Sequence, residues 1–215
     1  MKIRWLGHAS FLITSGVGTR IITDPYTPGN NLNYGEIKES ADIVVTSHDH
    51  FDHSNVTAVK GNPEVVKEPG LVEAKGIKFC GIPAYHDVTA GSERGHNILF
   101  CFEVDGIRIC HLGDLGHQLS DKEVAELGKV DILLIPVGGF YTIDALAATE
   151  VSGKIAPKVI VPMHYKNDKC DFPIAGVDDF LEGKTGVTRK NTSEVEFKPG
   201  ELPATTQIIV LKPTL

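Results

Sequence analysis

The chain has 215 residues, 41% of them hydrophobic and 23% charged, which is the balance of a soluble chain able to bury a substantial core. Its 28 acidic residues outnumber 21 lysines and arginines, and the net charge of −7 disfavours nucleic-acid or anionic-membrane binding, which rests on phosphate neutralisation. The apolar runs are too short to span a bilayer and the start goes straight into a strand-like pattern, so one cytoplasmic domain over 1–215 is expected.

Lys2–Leu6 and Ala9–Thr14 read as strands broken at Gly7-His8, with Gly16 and Gly18 turning the chain into a third strand, Arg20–Thr23. Asp24-Pro25 ends that strand because proline cannot continue a ladder; Asp24 is either a turn former or a functional residue. Thr27–Glu39, rich in Gly, Asn and Pro, is a long loop of the kind that borders an active-site mouth. The β-branched run Ile43-Val44-Val45-Thr46 then reads as a buried strand that stops at His48, His50, Asp52 and His53. Residues two apart in extended backbone leave on one face, so His48 and His50 can converge on one ion. A turn into the short helix expected over Ser54–Lys60 swings Asp52 and His53 toward a second. Imidazoles and carboxylates so spaced suit zinc, manganese or iron.

Beyond the motif, Glu64–Glu68 reads as a short strand, and Leu71–Lys75 with Ile77–Ala84 as a hairpin turned at Gly76. That hairpin ends at His86. The loop Val88–His96 carries Arg94, an anion-binding candidate. Asn97–Val104 and Ile107–Leu112 form a second hairpin on Asp105-Gly106 and deliver Gly113-Asp114, flanked by His111 and His117. Ser120–Gly128 is a capped helix, Asp131–Val137 a buried strand, Asp144–Ile155 a helix and Lys158–Pro162 another strand. The glycine pair Gly138-Gly139 either offers free amides to a substrate oxyanion or makes a tight turn. His164, Tyr165 and Lys166 follow the last of these strands. A short helix near Val177–Glu182 and strands at Val195–Phe197 and Gln207–Leu211 close the chain. The cysteines (Cys80, Cys101, Cys110, Cys170) lack C-x-x-C spacing and read as free thiols.

His-x-His-x-Asp-His resembles the signature of the metallo-β-lactamase fold superfamily. Leu6-Gly7-His8-Ala9-Ser10-Phe11 with Ile21-Ile22-Thr23-Asp24-Pro25 resembles its opening hairpin, and His111–His117 and Val161–Tyr165 follow in the same order. Within the superfamily the chain looks most like the small metal-dependent hydrolase branch that includes the ascorbate-6-phosphate lactonases. The resemblance implies an α/β (α+β) fold, a four-layer αββα sandwich with helices on both outer sides and metals at one edge between the sheets. It implies that His48, His50 and His86 hold one divalent ion and Asp52, His53 and His164 a second, with Asp114 bridging; Asp52, Asp114 and His164 would serve catalysis. The aspartate matching Asp24 supports the metal-binding loop, and His8 lies near the cleft.

The expected activity is hydrolysis by water activated between two divalent ions, zinc foremost and manganese or iron as alternatives. The expected substrate is a small anionic molecule, a lactone or small carboxylic ester such as a phosphorylated sugar acid; a small or lipid-derived phosphodiester is the alternative. His8, Arg94, His117 and Tyr165 are the candidate substrate contacts, and His111 orients a ligand or belongs to the core. A non-hydrolytic metal-binding protein is the reading from another class, which seven intact ligand positions disfavour. Homo-oligomers are common in the family.

Overall fold

In a computed structural model describing residues 1–215, the first sheet has two buried faces. It begins with β1 (Lys2–Gly7), β2 (Ser10–Thr14), β3 (Arg20–Thr23), β4 (Ile43–Val45) and β5 (Glu64–Val66). Ile3, Phe11, Ile13, Ile21, Ile43 and Val45 enter the main core, while the intervening Leu12, Ile22 and Val44 enter a smaller cluster on the other face. A strand sends successive side chains to opposite sides, so an unbroken apolar run is what a strand covered on both sides requires.

The chain continues through β6 (Gly70–Ala74), β7 (Ile77–Tyr85), β8 (His96–Val104) and β9 (Ile107–His111) to α1 (Asp121–Leu127), β10 (Ile132–Pro136) and α2 (Ala145–Ile155). It ends with β11 (Val159–Met163), α3 (Val177–Leu181), β12 (Val187–Arg189), β13 (Glu194–Glu196) and β14 (Gln207–Val210). The six-stranded sheet runs β13-β1-β2-β3-β4-β5, and the eight-stranded sheet runs β12-β14-β11-β10-β9-β8-β7-β6. Each is part hairpin and part parallel: β3, β4 and β5 pair in parallel, as do β9, β10, β11, β14 and β12. At the β8–β9 turn both Asp105 (φ 54°) and Gly106 (φ 72°) are left-handed, the conformation that matches the twist of a two-residue hairpin. The Asp105 carboxylate also accepts the Gly16 amide at 2.7 Å, tying this tip to the other sheet.

Two mixed sheets face one another with their outer faces covered, as the resemblance implied. All three α-helices lie on the second sheet, with α1 against β7, α2 against β10 and α3 against α2. The outer face of the first sheet is covered by irregular chain: Tyr26, Leu32, Tyr34 and Ile37 pack there with Cys170, Phe172 and Ile174. Gly, Pro and Asn keep this segment from forming a helix, yet its aromatic and aliphatic side chains supply the apolar cover. Between Ser54 and Lys60 only Val56–Ala58 is helical, as one 3-10 turn. The short edge strand β12 carries no clear signal in the sequence.

Six strands end at one rim. β1 leads to His8, β3 to Asp24, β4 to His48, β7 to His86, β9 to Asp114 and β11 to His164. Carboxyl ends of strands are where α/β sheets collect ligands, because chain leaving the ladder there is free to present side chains.

Phe102, fully buried on β8 within the main core, is expected to report on this packing. Phe102→Ala should cost about 3–5 kcal/mol in chemical denaturation; a loss below about 1 kcal/mol would show that the core collapses around the void.

Candidate metal centre

The site is built on a buried carboxylate. Asp24, held at φ 37° and fully buried, accepts the Ser47 amide on Oδ1 at 2.7 Å. Its Oδ2 accepts the Ser47 hydroxyl at 2.7 Å, His53 Nδ1 at 3.0 Å and His111 Nε2 at 2.8 Å. Burial alone would raise the Asp24 carboxyl, but His111 and His53 more than offset it and hold it well below the usual carboxylate range. It is therefore an anion that only accepts. With His53 donating from Nδ1, Nε2 is the nitrogen left facing the site. Ser47, having given its proton to Asp24, accepts from His48 Nδ1 at 2.9 Å, which turns the His48 Nε2 lone pair to the site, 3.1 Å from His50 Nδ1.

These nitrogens point into two groups of ligand atoms. His48, His50 and His86 bring their ring nitrogens within 4.8 Å of one another, and Asp52, His53 and His164 form a second such group together with His8. Asp114 stands between the groups, with Oδ2 3.2 Å from His86 Nε2 and 3.3 Å from His164 Nε2, and Oδ1 3.2 Å from His53 Nε2. Burial, with the neighbouring His53, pushes His48 down to about 3, so at neutral pH its imidazole is uncharged and can ligate. Burial opposes charge on His53 too, yet Asp114 and Asp52 raise it well above its ordinary value. The carboxylates thus favour positive charge at His53 Nε2, where a proton or a metal cation can supply it.

The donors fit divalent metal. His53 Nε2 and Asp114 Oδ1 are buried, face one another and make no aligned hydrogen bond. Such atoms are costly to leave unpaired, and a cation between imidazole lone pairs and carboxylate oxygens would satisfy them. The set is nitrogen and oxygen only, without thiolate, which suits zinc and admits manganese or iron.

The Asp114 loop needs small and specific neighbours. Buried Asn97 donates to the Leu112 carbonyl at 2.9 Å and accepts the Asp114 amide at 2.9 Å. Gly113 has φ 52°, and a Cβ there would lie 2.5 Å from Asn97 and Ser47 side-chain atoms; one on Gly116 would lie 2.2 Å from the His86 backbone. Only glycine permits these approaches.

The cleft over the centre has a volume of about 500 Å³ and is bordered by Asn30, Phe51, Glu93, Arg94, Tyr141 and Phe172 beside the metal-ligand candidates, with Glu93 Oε2 3.9 Å from Arg94 Nη1. Arg94 is therefore where the sequence suggested. Its loop is organised by buried Asp87, whose carboxylate accepts the amides of Thr89, Gly91, Glu93 and Arg94 and the Thr89 hydroxyl at 2.7–3.0 Å. Three other suggested contacts lie elsewhere. His8 is buried beneath Asp52, 3.2 Å from its Oδ2, with its ring 4.1 Å from that of His164. Burial and His164 push His8 down to about 4, so it is a neutral donor that steadies Asp52. His117 is spent on backbone, accepting from Tyr85 N–H at 3.2 Å and donating to Gln118 O at 2.9 Å. Tyr165 turns away from the cleft to pack on Trp5, with ring centroids 5.2 Å apart. The Gly139 amide donates to Ile143 O at 3.2 Å, and Gly138 passes so close to His164 O that a Cβ would lie 2.3 Å from it. That pair is a tight turn, not an oxyanion hole. Asn97, Ser47, Tyr141 and Phe172 were not singled out from the sequence, since polar or aromatic residues at strand ends look ordinary until the fold brings them to the rim.

Residues 2–164 match the model of the beta-lactamase superfamily domain. A UPF0173 metal-dependent hydrolase of Archaeoglobus fulgidus is 30% identical, the alignment covering 94% of this chain and 97% of that protein. A solved structure from Thermotoga maritima, described as a zinc-dependent hydrolase of the metallo-beta-lactamase superfamily, is 40% identical with a TM-score of 0.80 over 98% of this chain and 97% of that one. At 20% identity, a structure from Parabacteroides distasonis shares the fold with a TM-score of 0.68, covering 98% of this chain and 93% of its own.

Asp24→Asn should lower metal affinity about 10- to 100-fold in chelator competition, because the amide cannot accept from Ser47, His53 and His111 together. Unchanged affinity would show that the histidines are oriented without Asp24.

Proposed function

This chain belongs to the metallo-β-lactamase superfamily, and we propose that it is a hydrolase that uses two divalent cations to open a lactone or small carboxylic ester bearing an anionic group, such as a phosphorylated sugar acid. The observation that carries this reading is the meeting of a three-histidine group and a His/Asp group at Asp114, whose Oδ2 lies 3.2 Å from His86 Nε2 of the first and 3.3 Å from His164 Nε2 of the second. His48, His50 and His86 would hold one ion, Asp52, His53 and His164 the other, and Asp114 would touch both. Cations so held supply acidity to bound water and polarise the group being cleaved. Zinc is the first choice, since the donors suit it and the Thermotoga relative is described as zinc-dependent.

The chain's own residues do the rest. Asp52 borders the cleft and is steadied by His8, so it can take the proton released by attacking water and pass it to the leaving oxygen. Arg94, held by the Asp87-centred loop, binds the anionic part of the substrate, while Phe51, Tyr141 and Phe172 exclude water around the rest. A cleft of about 500 Å³ suits a small molecule. Hydrolysis of a small phosphodiester is the second reading, favoured by a guanidinium beside a centre that could also neutralise phosphate oxygens. Four free cysteines fit a reducing compartment, and we place the protein in the cytoplasm as one catalytic domain.

Metal-stripped protein restored with single metals should regain turnover on a lactone panel but not on phosphodiesters; the reverse preference would install the second reading. His50→Ala and Asp114→Ala should each lower kcat/KM by about 10³-fold, and an unaffected rate in either would sink the two-cation mechanism. Arg94→Ala and Asp87→Ala should raise KM for anionic substrates about tenfold with kcat little changed. Equal effects on a neutral ester would show that neither acts through the anion.

A further inference from the structure

Tyr165-Lys166 faces away from the metal cleft and opens a second cavity, of about 480 Å³, among the chain segments that follow β11, β12 and β14. Trp5, Tyr165 and Leu211, all buried, form its floor. Lys166, Lys169, Arg189, Lys190 and Lys212 border it, against only Asp168 and Asp178. Five of the 21 cationic side chains thus surround one concavity of a protein whose net charge is −7, so the local field runs against the global one.

Most of this charge is uncommitted. Arg189 pairs with Asp178. Lys169, Lys190 and Lys212 have no carboxylate within 4.0 Å and donate no side-chain hydrogen bond, and Lys166 reaches only the Phe172 carbonyl, at 3.4 Å. Ammonium groups gathered without partners repel one another, a cost that an anion in the cavity would remove. Four of them on three separate segments match two or more phosphoryl groups better than one, while the floor offers an apolar and aromatic surface. We propose that this pocket binds a small polyphosphate-bearing ligand, at a site separate from the metal cleft.

Calorimetric titration of the metal-loaded protein with inorganic pyrophosphate and with ATP tests this. One-to-one saturable binding is expected, weakening as salt rises. It should weaken about tenfold or more in Lys190→Glu/Lys212→Glu, with Lys169→Glu as an independent second variant. It should persist in His50→Ala, which damages the metal centre and leaves this pocket intact. These lysines are half-exposed or exposed, so the variants should melt like the parent, separating a lost site from a lost fold. Tighter binding of ATP than of pyrophosphate would support a nucleoside over the floor. Absence of saturable binding, binding indifferent to the lysine variants, or binding lost only in His50→Ala would overturn the proposal. So would binding of single-stranded RNA with neither small anion bound.

Discussion

One buried carboxylate organises the candidate metal centre. Asp24 sits where β3 ends, and Ser47, His53 and His111 all donate to it. A charge taken so far out of water persists only if its oxygens are satisfied, and here they are satisfied by the residues that must be oriented. The same hydrogen bonds that make Asp24 tolerable decide which nitrogen of His53, and through Ser47 which nitrogen of His48, is left to a cation. Stability and ligand orientation are thus one network, and losing the anion would loosen both.

The two sheets divide the labour around it. The first brings His8, Asp24 and the His48–His53 stretch to the rim; the second brings His86, Asp114 and His164. Neither sheet holds a full set of candidate ligands, so the centre exists only where their carboxyl ends meet. Packing across the shared core fixes that meeting, which is why Gly113 and Gly116 must leave room for Ser47, Asn97 and the His86 backbone. The irregular 24–41 segment does double duty. Its apolar side chains seal the first sheet, and Asn30 borders the cleft.

Electrostatics separates two faces of the molecule. At the candidate metal centre, Asp114 and Asp52 press for positive charge at His53, while burial keeps the neighbouring His48 neutral. Behind it, across the His164–Tyr165 peptide, unpaired lysines create a site short of negative charge. His164 turns toward Asp114 and Tyr165 toward Trp5, so a single peptide link separates environments of opposite demand.

Much of this was legible in the chain itself. The His48–His53 spacing, an apolar run ending in ligand-type residues, and the Asp105-Gly106 turn are local signals, and strand periodicity, metal-ligand chemistry and turn sterics act over a few residues. The strands bearing His86, Asp114 and His164 could be drawn for the same reason. What adjacency in sequence could not say is which way a side chain faces. His8, His117 and Tyr165 lie next to site residues in the chain, yet they end up beneath Asp52, on backbone groups, and behind the centre. Asn97 is unremarkable until β8 is laid beside β9 and its amide meets the Asp114 loop. The sequence by itself determined the ligand types and the strands that carry them, because those follow from local chemistry and a two-residue period. The tertiary structure alone decided which of them converge, because orientation across two packed sheets depends on contacts between residues far apart in the chain.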